Sequence, residues 1–185
     1  MKKFGVVVLG ALALSLVGCA SKGEEAQVAE PAEEQTADSG NTVGLANPWI
    51  DTDKNGVKAA TGFELNVPVE AQNVMYSYLE DAQMAQVTYL IGEDEFVYRA
   101  QPTAELMDIS GFNYDWFLED DCTVHGFEGK ELAYSDAEED AEFIDDAFYV
   151  HVVYWYNTDE GATYSLSTSG KDLNGMDITA IAEGL

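Results

Sequence analysis

The run from Tyr149 to Tyr156, Tyr-Val-His-Val-Val-Tyr-Trp-Tyr, constrains the fold more than any other stretch, because it is apolar on both period-2 faces. Successive side chains of a strand point to opposite sides of a sheet, so a strand apolar on both sides must be covered on both. This run predicts a central strand with a layer of chain above and below it. Asn157 to Gly161 then predicts a turn that sends the chain back along Thr163 to Thr168.

The rest of the chain supplies neighbours for that strand. Phe63 to Val67, Val74 to Leu79, Ala85 to Ile91, Phe96 to Ala100, Asn113 to Leu118, Cys122 to Phe127 and Lys130 to Tyr134 all read as strands, separated by Asp, Gly and Pro clusters. Pro68 ends the first of these, since it has no amide proton for a ladder and holds Val67 extended. The short polar gap Glu80-Asp81-Ala82-Gln83 predicts a hairpin. Asp172 to Leu185 places Ile178, Ile181 and Ala182 on one face of a closing helix. The expectation is an α+β fold over residues 47–185: an antiparallel sheet with a short N-terminal helix and a C-terminal helix.

The N-terminal helix rests on Asp51-Thr52-Asp53-Lys54-Asn55-Gly56, which also matches the first half of an EF-hand calcium loop, with Asp51, Asp53 and Asn55 as candidate ligands. The bidentate acid of that loop belongs at position 12, where this chain has Gly62. The simpler reading makes Asp51 or Asp53 a helix cap and Gly62 the left-handed residue that ends the helix.

Ahead of this domain, Lys2 and Lys3 precede a run from Phe4 to Val17 that carries no charge. The run is shorter than the about 20 apolar residues a membrane-spanning helix needs, so it reads as a targeting segment over residues 1–18. Leu16-Val17-Gly18-Cys19 resembles the lipobox of bacterial lipoproteins. That resemblance implies cleavage between Gly18 and Cys19, with diacylglyceryl and acyl lipid on Cys19 holding the chain at the extracytoplasmic face of the cell membrane. In a two-membrane host, Ala20 after the cysteine permits transfer to the outer membrane. Two or more acyl chains make such anchoring stable where one does not. Residues 19–46 are poor in large apolar side chains and predict a disordered acidic tether.

Charge narrows the functional classes. With 35 acidic against 8 basic residues the formal net charge is −27, and loss of residues 1–18 removes two lysines and no acid. Such a surface repels phosphate backbones, which excludes nucleic acid and disfavours anionic substrates. Cations and basic partners suit it, as does a self-repelling monomer. One cysteine, Cys122, remains once Cys19 is lipidated, so the domain must hold itself by packing rather than by an internal disulfide.

Catalytic patterns are absent from the sequence: there is no Gly-x-Ser-x-Gly elbow, phosphate loop, dinucleotide fingerprint or His-Glu-x-x-His pair. Cys122-Thr123-Val124-His125 reads as strand, and its one thiol and one imidazole fall two ligands short of a closed zinc site; His151 reads as a packed core histidine and Cys122 as a buried thiol. The acidic insert Asp136 to Asp146 reads as a solvated loop, with cation binding as the alternative. Tyr76, Tyr78, Tyr89, Tyr98, Tyr114, Trp116, Tyr154, Trp155 and Tyr156 are core residues unless several share an exposed face, in which case they make a sugar- or peptide-binding surface.

The segments Asn47-Pro48-Trp49, Ala59-Ala60-Thr61-Gly62-Phe63, Val67-Pro68, Tyr98-Arg99-Ala100, Asp108-Ile109-Ser110-Gly111, Trp155-Tyr156 and Tyr164-Ser165-Leu166 together resemble a group of uncharacterised lipoproteins of anaerobic Gram-positive bacteria. Their domain is similar to a domain of unknown function found beside sigma-factor regulators. The resemblance implies a tethered domain that is not an enzyme and carries no transferable site residues. The functional expectation is therefore a membrane-anchored binding module for a protein or cell-envelope ligand. A calcium-dependent module and a cell-envelope hydrolase are the alternatives.

Overall fold

A computed structural model describes residues 47–137, 147–171 and 173–185. The targeting segment, Gly18, Cys19, the tether and most of the acidic insert lie outside the described residues. The elements are β1 (Ile50–Thr52), α1 (Lys54–Thr61), β2 (Gln72–Leu79), β3 (Met84–Ile91), β4 (Asp94–Pro102), β5 (Leu118–Val124), β6 (Phe127–Ser135), β7 (Phe148–Asn157), β8 (Ala162–Lys171) and α2 (Ile178–Ala182). The strands form one antiparallel sheet in the order β1-β2-β3-β4-β8-β7-β6-β5. It is a β-rich fold with two short helices.

This order makes β8 the neighbour of β4, while β5 lies at the far edge. The chain leaving β4 must therefore cross β8, β7 and β6 to begin β5, about 19 Å at the usual spacing between strands. Residues 103–117 make that crossing as a strap over one face. Leu106, Phe112 and Trp116 pack there on Leu132, Val150, Val152 and Tyr154. On the opposite face Val153 and Trp155 join Val87, Phe96, Tyr98 and Leu166 beneath Val57 of α1 and Ile178 and Ala182 of α2. The two-sided covering expected of Tyr149 to Tyr156 is thus supplied by the strap on one side and by α2 on the other, while α1 lies over β2 and β3.

Four sequence expectations are corrected. Phe63 to Val67 is not a strand: Phe63, Leu65 and Val67 alternate inward because this segment lies on the core, not because it joins the ladder. Asn113 to Leu118 is the end of the strap, where Phe112 and Trp116 rest on the core and Asn113, Tyr114 and Asp115 are exposed. Cys122 to Phe127 is broken by a two-residue turn at His125 and Gly126, both with positive φ (53° and 81°), which pairs Val124 with Phe127. Two such residues suit the right-handed twist of a hairpin, and glycine takes this conformation without a Cβ penalty. The helix expected over Asp172 to Leu185 shrinks to Ile178–Ala182, because Asn174 and Gly175 form a turn before Asp177 caps it through Ala180 N–H at 2.9 Å.

The sheet ends in two unlike edges. The outer strand β1 has three residues, all exposed, and β5 presents Glu119, Asp120 and Asp121 in succession, each exposed. Among the described residues no helix is long and apolar enough to cross a membrane.

Candidate interaction surface

The strap is fixed from beneath by a half-buried polar seam. Arg99 of β4 faces it, and its Nε donates to Gln86 Oε1 at 2.8 Å. Its Nη1 donates to the carbonyls of Ile109 (3.1 Å) and Ser110. Gln86 in turn donates to Ser77 Oγ at 3.3 Å, and the Trp49 ring lies 5.4 Å from the guanidinium carbon. Burial lowers the Arg99 pKa, with Asp108 opposing the shift. Gly111 has φ +82°, a conformation that favours glycine, and a Cβ there would come within 2.8 Å of Arg99 Nη1 and push the guanidinium aside. Near its start, Thr103 Oγ1 shares a 2.7 Å hydrogen bond with Thr163 Oγ1.

Anchored in this way, the second half of the strap holds Phe112 and Trp116 half-buried on the sheet and Tyr114 exposed between them. Tyr114 stacks on Tyr134 of β6 with centroids 4.3 Å apart, contacts Phe112 at 6.0 Å and meets Trp116 edge-on at 5.8 Å. Tyr114 is 37% exposed, Phe117 66% and Met107 46%. Offset and edge-to-face contacts of this kind are the favoured geometries of aromatic pairs. Asp115, Glu119 and Asp120 lie exposed beside it in sequence. Lys130 is held by Glu119 at 2.8 Å and Asp121 at 3.6 Å.

The residues singled out in the sequence divide between this patch and elsewhere. Tyr114 and Trp116 are in it, whereas Tyr89, Tyr98, Tyr154 and Trp155 are buried and Tyr76, Tyr78 and Tyr156 half-buried. Phe112, Phe117 and Tyr134 were missed; the alternation of Phe112, Tyr114 and Trp116 was the available signal, and it was read as a strand. Asp51 lies in β1 opposite Ser77, and Asn55 in the first turn of α1. Asp53 caps α1 through Gly56 N–H at 2.8 Å, and left-handed Gly62 closes it on Lys58 O at 2.9 Å, as the helix reading expected.

Among the described residues no group of three or more His, Cys, Asp or Glu is set to hold a metal. Cys122 is half-buried and free, and burial raises its thiol pKa, away from the thiolate a nucleophile needs. His125 stands at the β5–β6 turn with Nδ1 3.6 Å from Glu183 and its ring 6.0 Å from Trp155. His151 is buried on β7, where Nε2 contacts Leu173 O at 3.0 Å. The chain matches no family model, no curated protein and no solved structure.

Proposed function

We propose that this chain is an extracytoplasmic lipoprotein, anchored through Cys19, whose domain holds a basic protein partner on the strap patch and catalyses no reaction. The observation that carries the reading is the aromatic group in which exposed Tyr114 contacts half-buried Phe112, Trp116 and Tyr134, followed in sequence by exposed carboxylates on a chain of net charge −27. Aromatic faces with acids at their rim attract cationic side chains through both ring quadrupole and Coulomb attraction. The likeness to uncharacterised lipoproteins of anaerobic Gram-positive bacteria agrees with this reading and belongs to the same proposal, as does the class α+β.

Two measurements test it. Incorporation of radiolabelled palmitate should vanish on Cys19→Ser, and unchanged labelling removes the anchor from the proposal. In titrations followed by tryptophan fluorescence, nona-arginine should bind and nona-glutamate should not, with Trp116→Ala or Tyr114→Ala weakening binding by about tenfold. Equal affinity in these variants would mean that charge alone attracts the peptide and that the patch is not the site.

A further inference from the structure

At the end of the strap, Phe117 opens onto a groove of about 510 Å³ between the sheet and the approach to α2. Phe117, Leu118, Ala133 and Met176 give it an apolar wall, and Glu131 and Asp177 place carboxylates in it. Glu131 accepts a hydrogen bond from Thr179 Oγ1, and one Asp177 oxygen caps α2, which leaves each carboxylate a second oxygen. His151 also lines this groove; it is 6% exposed, and its Nδ1 has no hydrogen-bond partner. Because Leu173 O can only accept, Nε2 carries the proton in the neutral ring, and Nδ1 is therefore an acceptor without a donor.

The groove thus sets two carboxylates against apolar and aromatic surface, and among its polar side chains, Glu131, Tyr149, His151, Asn174 and Asp177, none supplies a cation at neutral pH. A complementary group needs an aliphatic stem, a delocalised positive charge and several donors in one plane. We propose that the groove takes the side chain of an arginine from the partner, its stem along Leu118 and Met176 and its guanidinium between Glu131, Asp177 and the ring of Phe117. Arginine suits this better than lysine because its planar fork offers five donors and stacks on aromatic faces. The inference rests on the reading that the partner is basic; Phe117 lines the groove and follows Trp116 of the strap patch in sequence.

The test uses the mature chain carrying Cys19→Ser and the probe N-acetyl-arginine N-methylamide, with the citrulline analogue as its uncharged isostere. The probe should move the resonances of Phe117, Met176 and the His151 ring in a saturable way, and the citrulline analogue should leave them unmoved. Combining Glu131→Gln with Asp177→Asn, which keeps an acceptor for Thr179 and a cap for α2, should weaken the probe about tenfold. Unmoved groove resonances, or equal shifts from citrulline, overturn the inference without depending on any variant of the groove. Trp116→Ala separates the two claims: it should weaken nona-arginine and leave the small probe bound. A chain that binds nona-arginine through Trp116 but ignores the small probe keeps its interaction surface and loses its arginine groove.

Discussion

The imidazole of His151 is held neutral by its surroundings. Burial lowers its pKa from the ordinary histidine value, while the hydrogen bond with Leu173 O and the nearby Glu131 pull the other way. On acidification the unfolded chain takes up this proton first, and the folded chain only at lower pH. The stability that the neutral ring contributes is therefore complete above the ordinary histidine range and is lost as pH falls from there toward the folded pKa. We expect the difference in unfolding free energy between the parent chain and His151→Phe, measured by urea denaturation, to fall between pH 7.5 and pH 5. A difference that stays constant would show a histidine that does not titrate differently on folding. At this scale the sequence was most informative where one residue acts on its own backbone: Asp53 and Gly62 bracket α1 because a short acid and a residue without Cβ solve local problems. Arg99 was not legible as an anchor, since its partners are carbonyls of residues 109 and 110 that come near only when the strap is in place.

The strap is the element on which this fold turns, and Arg99 is its main polar anchor. Arg99→Leu removes the donor to two carbonyls of the strap and to Gln86 beneath it, all part-buried. We expect a loss of about 3 kcal/mol from these unmet hydrogen bonds. Limited proteolysis should then cut within residues 103–117 while the strands stay protected, and a cutting pattern like that of the parent chain would mean that apolar packing alone holds the strap. Alternating side chains were a sound guide to burial along Phe63 to Val67, and along Phe112 to Trp116 they failed at exposed Tyr114. They were a poor guide to pairing, because an extended segment lying across a sheet shows the same period as one inside it. The hairpins at Glu80 to Gln83 and Asn157 to Gly161 were legible because their turns are polar and their strands long. The turn at His125 and Gly126 is only two residues deep, and its Val and Phe neighbours hid it.

At the scale of the whole molecule, packing faces an opposing self-repulsion from 35 acids. A chain beginning at Asn47 should melt within a few degrees of one beginning at Ala20, since residues 20–46 hold few large apolar side chains with which to dock. A tether that raises the midpoint by ten degrees or more would place part of it on the domain. The strand order itself could not be read from composition or periodicity: that β8 returns beside β4 is a matter of long-range pairing, which local patterns do not encode. The acidic outer edge of that sheet, Glu119 to Asp121 on β5, bears on how copies behave when crowded. Edge-to-edge addition of a second molecule would bring like carboxylates into register, so near neutrality each copy disfavours templating another. That protection is ionic rather than steric, and it fades as pH approaches the carboxylate range. Acid is thus the condition under which this sheet would be expected to grow into fibres.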